Sequence, residues 1–374
     1  MPNHVHELVD PGQVGIDPER LSLLIDRVRL DVERGPLPSA QLAVARDSRL
    51  VCFETFGDAT SWTRYILQSV GRVVVASILW KLIGEGLVDV SEPVADIVPS
   101  FGTNGKDKVT VEQIASHVAG LPFAPLGYPK MLDREQRQAA FSRWQLSYEP
   151  GSRLQWHLTS SAWIIAEITE VRTGLAFPDY LRTRIAEPLG LTLELGVSPA
   201  DQADSVAPMV LIGNGREDEI DPWGAWYLRD PKVLAAGEPS HSIVGTAADV
   251  ALHAQGVLNS GLWTPEALQE GITIRVSMAP AGEQVYGGSP EVVNVGLFAN
   301  VKGEHGAMVP ATGSARTFGH MGSPCSLGFT DPDSGLSFAF LTNGYPAAGY
   351  DYSPEGQRRV QTIGDLAFDV LAVE

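Results

Sequence analysis

The chain has 374 residues, 44% of them hydrophobic and 19% charged, which is an ordinary globular composition with room for two domains or one large one. Its formal net charge of −18 argues against nucleic acid and anionic membrane as partners, because both would repel it. There is no secretory signal, no run long enough to span a membrane, and no metal or disulfide spacing of the two cysteines, so we expect a cytoplasmic protein.

The first predicted elements are a helix and a β-hairpin. Asp17 followed by Pro18 is a typical helix start, because aspartate caps free backbone N–H groups and proline suits the first turn. Apolar residues at helical spacing continue until Gly35 ends the helix. Two extended runs follow, residues 41–45 and 50–56, and the short polar connection between them predicts two antiparallel strands.

The middle of the chain is predicted to be helical. Residues 69–85 are apolar nearly all round, which is typical of a buried helix. Thr110 with Gln113 forms a capping box for a second helix, residues 163–171 form a third, and Thr246 caps a fourth. This part of the chain therefore contrasts with the strands that precede it.

Strands return near the carboxyl end, where a turn signal at residues 331–335 separates two of them. The candidates are residues 292–298, 317–322, 327–330 and 336–342, followed by a final helix at residues 355–371. This order predicts an α/β (α+β) fold, in which both chain ends build an antiparallel β-sheet flanked by helices and a mostly helical domain is inserted between them.

We place the sheet domain at residues 1–65 and 240–374, and the inserted, mainly helical domain at residues 66–239. The histidines and cysteines show no metal-ligand spacing, so we expect no metal. No glycine-rich phosphate loop follows a strand, so we expect no cofactor.

Several stretches together resemble one family. They are TRYILQSVGRVVVASILWKLIGEGLVDVSEPVADIVPSF, KDKVTVEQIASHVAGLP, EPGSRLQWHLTSSAWIIAEITEVRTG, GTAADVALHAQGVLNSG and FGHMGSPCSLGFTDPDSGLSFAFLTNG. The first is similar to the nucleophile segment of serine β-lactamases of the class C type and of their relatives among penicillin-binding proteins and family VIII carboxylesterases. The resemblance runs from about residue 15 to the carboxyl end, and it implies the same two-part architecture.

The resemblance places the nucleophile of the first motif, Ser-x-x-Lys, at Ser69. In the family the lysine one turn later takes the serine proton, and Arg72 stands at that position here. An arginine side chain does not lose its proton in proteins, so Arg72 is a poor general base, although it can hold Ser69 electrostatically.

The second motif, Tyr-x-Asn, is also altered. The resemblance places Trp156 at the tyrosine that shuttles a proton and Leu158 at the asparagine that orients substrate. An indole N–H donates a hydrogen bond but neither titrates nor accepts one. His157 and Leu158 are candidate substrate-binding residues beside Trp156, but strand alternation would turn His157 away from the site, which favours a structural role for it.

The third motif, His/Lys-x-Gly, is present as His320-Met321-Gly322 on a strand that lines the site in the family. The residue after the glycine supplies an oxyanion N–H there, and Ser323 can do so. The ordinary pKa of histidine suits a general base, so His320 is a candidate to replace the lysine. Relatives that keep the lysine also carry histidine at this position, so its presence alone does not indicate that role. A further departure is the stretch 240–242, where relatives usually have glycines.

Three functions are compatible with these motifs. The resemblance favours a β-lactamase-like serine hydrolase of the esterase or amidase type, working through Ser69 with a rearranged base. The second is a repurposed non-hydrolytic enzyme, such as a lyase, isomerase or cyclase, that uses Arg72 and Trp156 as fixed donors. The third is a catalytically inactive binding protein. In each case the partner is a small molecule, and an aromatic pocket around Trp156 would suit a bulky or aromatic one.

Overall fold

An antiparallel sheet forms the centre of the structure, a computed structural model that describes residues 7–212, 225–281, 291–322, 326–346 and 354–372. The strands of the described residues are β1 (Ser39–Arg46), β2 (Arg49–Gly57), β3 (Tyr65–Ile66), β4 (Glu194–Leu195), β5 (Val210–Ile212), β6 (Ile243–Gly245), β7 (Val276–Met278), β8 (Val293–Val295), β9 (Asn300–Val301), β10 (Phe318–Gly322), β11 (Ser326–Asp331), β12 (Leu336–Thr342) and β13 (Gly344–Pro346).

Strands from both ends of the chain meet in the main sheet. Its order is β2-β1-β12-β11-β10-β9-β8-β7, and each neighbouring pair is antiparallel. A small sheet in the order β3-β6-β4 lies apart from it, and β13 pairs in parallel with β5. The predicted antiparallel sheet is therefore confirmed, whereas β3, β4 and β6 are too short to show a sequence period.

Helices cover both faces of the main sheet. The α-helices of the described ranges are α1 (Pro18–Glu33), α2 (Arg72–Gly84), α3 (Val94–Ile97), α4 (Val111–Ala115), α5 (Arg134–Arg143), α6 (Ser160–Thr173), α7 (Phe177–Tyr180), α8 (Glu187–Leu189), α9 (Pro199–Ser205), α10 (Pro231–Ala235), α11 (Ala247–Asn259), α12 (Pro265–Ile272) and α13 (Pro354–Phe368). None of them is long and apolar enough to cross a membrane.

Alternation along β1 divides the core into two layers. Leu42 and Val44 share one hydrophobic cluster with Leu24 of α1. Ala43 lies in the other cluster with Leu79 of α2. Successive residues of a strand point to opposite faces, so a strand that is apolar throughout is buried on both sides. The predicted fold class, an antiparallel sheet flanked by helices, is confirmed, and the domain boundaries at residues 65 and 240 stay a prediction.

Two predicted elements differ in extent. The buried helix expected at residues 69–85 begins as a 3-10 turn, Gln68–Gly71, and becomes α-helical only at Arg72. The strand expected at residues 292–298 ends at Val295, and Phe298 has a positive φ of 63°, which strand geometry does not allow. Apolar runs predict burial in both cases but do not predict where the backbone turns.

Candidate active site

Ser69 lies in the 3-10 turn that leads directly into α2. The N–H of Leu67 donates to the carbonyl of Ile243 at 2.8 Å, which ties the turn to β6. Gln68 has a φ of 51°, a left-handed conformation that is uncommon for a residue with a side chain, and it bends the chain just before Ser69. Ser69 is half-buried at the amino end of a helix, where the helix dipole favours negative charge on its oxygen.

Strand β10 lies against this turn because Gly322 has no side chain. A Cβ at this position would lie 3.2 Å from the carbonyl oxygen of Leu67 and 3.3 Å from Cγ2 of Val70. Residues two apart share one face of a strand, so His320 points to the same side of β10 as the nucleophile turn. Ser323, the predicted oxyanion donor, lies outside the described residues.

His320 presents an unpartnered nitrogen. Its Nδ1 lies 2.6 Å from the carbonyl oxygen of Met321, and a carbonyl only accepts, so Nδ1 carries the proton. Its Nε2 is therefore a lone-pair acceptor, and it is buried without a hydrogen-bond partner among the described residues. Burial and the nearby charge of Arg72 lower the pKa of His320 to about 3, so the ring is neutral at neutral pH.

Trp156 occupies the place of the predicted tyrosine and is 3% exposed. Its ring centroid lies 5.0 Å from that of His117 and 6.0 Å from that of His320, with edge-to-face geometry in both pairs. Its Nε1 also lacks a hydrogen-bond partner within the described ranges. Trp156 and His320 thus bring one unpaired donor and one unpaired acceptor into the same region.

His157 faces the opposite way from Trp156. Its Nε2 accepts from the N–H of Leu121 at 3.1 Å, and its Nδ1 lies 2.9 Å from Oγ of Ser161. Burial lowers its pKa to about 3, with the charge of Arg72 as a second cause. Both ring nitrogens bind within the protein, so His157 holds the segment in place and presents no free atom to a ligand.

Arg72 is buried beside the nucleophile turn, and three groups accept from its guanidinium. Its Nε donates to Oγ of Ser240 at 3.0 Å, and its Nη2 donates to the carbonyl of Leu158 at 2.7 Å and to Nε2 of His241 at 3.2 Å. The ring of Phe298 lies 5.7 Å from its central carbon. The predicted residue Leu158 therefore contributes its backbone carbonyl to the site, while its side chain is half-buried.

Residues 240–242 stand out in the sequence as a departure, but sequence reasoning missed Glu238 and the contacts of His241 with the site residues. Glu238 is buried, and its Oε2 lies 2.9 Å from Nδ1 of His241 and 3.3 Å from the hydroxyl of Tyr227. Its Oε1 accepts from the N–H of Ser240 at 2.7 Å. The serines and histidine at positions where relatives usually have glycines were the available signal, but their partners come from distant parts of the chain.

The structure brings the predicted residues Ser69, Arg72, Trp156 and His320 into one region, with Gly322 at its edge. The described residues contain no group of three or more metal-binding side chains. The groups that the described site residues offer include one hydroxyl, one neutral imidazole and one buried cation.

Comparisons with known proteins concern the family and the fold. A sequence model of the family described as Beta-lactamase matches residues 24–361. A putative D-alanyl-D-alanine carboxypeptidase of Salmonella schwarzengrund (strain CVM19633) is 28% identical over 383 residues, which cover 89% of this chain and 84% of that protein.

Solved structures give the same fold. A penicillin-binding protein homolog from Caulobacter crescentus superposes with a TM-score of 0.79 at 25% identity, covering 96% of this chain and 99% of that one. A family VIII carboxylesterase superposes with a TM-score of 0.78 at 20% identity, covering 94% and 98%. At 20% identity the second likeness shows the fold alone.

Proposed function

The chain belongs to the beta-lactamase family, and we propose that it is a serine hydrolase of small esters or amides with a non-standard active site. Ser69 is the nucleophile, and His320 takes over the acceptance of its proton. One observation carries this proposal: the turn that holds the half-buried Ser69 packs against the strand that bears the unpartnered Nε2 of His320.

The reaction has two steps. In the first, Oγ of Ser69 forms a bond to the acyl carbon while its proton passes to Nε2 of His320. The alcohol or amine leaves with that proton as the tetrahedral intermediate collapses. In the second, water attacks the acyl carbon and gives a proton to His320. The bond between that carbon and Oγ of Ser69 then breaks, the carboxylic acid leaves, and His320 passes the proton to Oγ. The cation of Arg72 stabilises the negative charge that builds up in both steps.

The pKa of His320 predicts slow turnover. A general base works best when its pKa lies near the operating pH, and burial with the charge of Arg72 places the pKa of His320 at about 3. The imidazole is thus always available as an acceptor but holds a proton weakly. We therefore expect slow acylation and an acyl-enzyme that lasts long enough to be detected.

Intact-protein mass spectrometry tests the nucleophile. The protein is incubated with a fluorophosphonate and, separately, with p-nitrophenyl acetate, alongside Ser69→Ala and the exposed-serine control Ser61→Ala. One adduct per chain in the wild type and in Ser61→Ala, absent from Ser69→Ala, is the expected result. His320→Gln should slow labelling by about 10²–10⁴-fold, the usual contribution of general-base catalysis. An unlabelled wild-type chain would overturn the proposal.

The second candidate is a protein that binds a carbonyl compound without forming an acyl-enzyme, as a binding protein or a non-hydrolytic enzyme. The observation in its favour is that neither Arg72 nor Trp156, both buried, can exchange a proton as the lysine and tyrosine of the family do. It predicts no adduct at Ser69 together with saturable binding of small carbonyl compounds that Trp156→Phe, which keeps a ring but loses the N–H, weakens.

The cytoplasmic location also remains a proposal. Support comes from the sequence, in which the two cysteines, Cys52 and Cys325, form no disulfide framework.

A further inference from the structure

The guanidinium of Arg72 can only donate hydrogen bonds, and this determines which ring nitrogen of His241 carries the proton. A guanidinium has donors and no acceptor, so Nε2 of His241, 3.2 Å from Nη2 of Arg72, must carry a lone pair. The proton of the neutral ring is then on Nδ1, where it is donated to Oε2 of Glu238 at 2.9 Å. The hydrogen bonds therefore run in one direction: Arg72 donates to His241, and His241 donates to Glu238.

Glu238, like Arg72, is held in place by several hydrogen bonds. Its two carboxylate oxygens accept from different donors, Oε1 from the N–H of Ser240 and Oε2 from His241. Ser240 in turn accepts from Nε of Arg72 and donates to the carbonyl of Leu158. A buried carboxylate and a buried guanidinium thus share one network, as a pair of buried charges requires.

The neutral ring between the two charges has an electrostatic consequence. A carboxylate in direct contact with the guanidinium would cancel much of its positive field. Glu238 lies on the far side of the imidazole, and it cancels less because electrostatic interactions weaken with distance. Arg72 therefore keeps a positive field on its other side. It lies one helical turn after Ser69, and residues three apart share a helix face.

We propose that Glu238 and His241 are positioning residues for the reaction at Ser69, because they hold the guanidinium of Arg72 where its charge stabilises the developing negative charge. This inference rests on the proposed function. The two residues touch Arg72 or each other and are not assigned a contact with substrate. Tyr227 lies in the 3-10 turn Ala225–Arg229, and its hydroxyl also donates to Oε2 of Glu238 at 3.3 Å.

Two substitutions of His241 separate positioning from packing. In His241→Gln the amide oxygen can accept from Arg72 while the amide N–H donates to Glu238, so the chain of bonds is kept. In His241→Leu both bonds are lost. We expect His241→Leu to slow fluorophosphonate labelling of Ser69 by about tenfold or more, since small misplacements of catalytic groups reduce rates strongly, and His241→Gln to keep it within about threefold.

Glu238→Gln is the matching change in the carboxylate. Its amide offers one acceptor where the carboxylate offers two, so either Ser240 or His241 loses its partner. We expect labelling to slow by about tenfold. Glu194→Gln is the control, because Glu194 pairs with Arg64 in the adjoining small sheet and does not touch Arg72.

The pH profile of labelling adds a readout that packing would not move. The groups that face His241 are Arg72 from α2, His320 from β10, Tyr227 and Glu238. A second proton on His241 would set its N–H against those of Arg72 and break the bond. Wild-type labelling should therefore fall in acid, and His241→Gln, which cannot titrate, should lose that part of the fall.

The outcomes separate cleanly. A wild-type chain without an adduct overturns the proposed function and this role with it. Labelling of the wild type that His241→Leu and Glu238→Gln leave unchanged overturns the inference alone. Thermal melts of each variant show that it is folded, and if His241→Leu does not fold, the pH profiles of the wild type and His241→Gln decide.

Discussion

Arg72 and Lys106 are both buried cations, and they are accommodated in different ways. Lys106 is fully buried, and its Nζ donates to the backbone carbonyls of Thr103 at 2.7 Å and Trp144 at 2.5 Å. Arg72 reaches a carboxylate, Glu238, through His241. The first site offers partial charges from the backbone, whereas the second offers a full counter-charge.

The chemistry of the two side chains explains the difference. Burial lowers the pKa of Lys106, which means that its ammonium gives up the proton more easily and limits the free-energy penalty of burial. An arginine cannot respond in this way, so its charge is permanent. Where the resemblance to the family implies a titratable lysine, this chain has a permanent cation, and a buried network of hydrogen bonds surrounds it.

Removing Arg72 should have the largest effect on stability. Arg72→Met leaves Glu238 buried without its cation, and losing one partner of a buried ion pair costs about 3–5 kcal/mol of unfolding free energy. The double variant Arg72→Met/Glu238→Gln should recover part of that loss. Urea denaturation of these two variants and of Glu238→Gln gives the coupling free energy, and losses that simply add would show that the two charges are not coupled.

Removing Lys106 should cost less. Lys106→Met keeps the length of the side chain and removes two hydrogen bonds, which together are worth about 1–3 kcal/mol. The carbonyl of Thr103 still accepts from the backbone N–H of residue 106, and that of Trp144 from the side chain of Asn104. Lys108→Met, two residues away and exposed, is the control and should change stability by less than about 0.5 kcal/mol. If Lys106→Met proves as damaging as Arg72→Met, a carboxylate partner does not distinguish the two sites.

Two buried histidines show the same contrast: His241 has a carboxylate partner, Glu238, whereas no carboxylate is among the causes that shift the pKa of His253. Burial lowers the pKa of His253 to about 4. Burial also lowers the pKa of His241, but the charge of Glu238 opposes that shift. A depressed pKa gives stability that is present above the unfolded value near 6.5 and is lost as pH falls towards 4, because only the unfolded chain takes the proton.

We therefore expect His253→Gln to reduce the loss of stability in that window by about 1.4 kcal/mol per pH unit. His241→Gln should reduce it less. Urea denaturation at several pH values gives both slopes, with the wild type as reference. Equal slopes for the two variants would mean that Glu238 does not support His241.

Much of the framework could be predicted from the sequence because it depends on local signals. The cap at Asp17 and the capping box at Thr110 are read from neighbours in the chain, and α1 and α4 begin there. Alternation and apolar runs likewise predict β12 at its observed bounds. The resemblance to known enzymes then supplied Ser69 and His320, whose strand and turn the structure places side by side.

The network around Arg72 could not be predicted in this way. Arg72 and His241 are 169 positions apart, and Tyr227 comes from a third segment. None of these residues has a local period or cap that requires its neighbour to be polar. The sequence places an arginine where the resemblance implies a lysine, but only the fold shows that a glutamate is buried one imidazole away.

Arg72→Lys tests the comparison most directly, and its effect on stability should be the smallest. The charge is kept while the Nε–H bond to Ser240 is lost, and one such bond is worth about 1 kcal/mol. The kinetic effect is the sharper one, because a buried lysine can lose its proton in the alkaline range and an arginine cannot. Wild-type labelling of Ser69 should be flat between about pH 8 and about pH 10, whereas that of Arg72→Lys should rise. If both proteins rise together, a group other than the residue at position 72 sets the reactivity of Ser69 in alkali, and the permanence of the arginine charge has no bearing on the nucleophile.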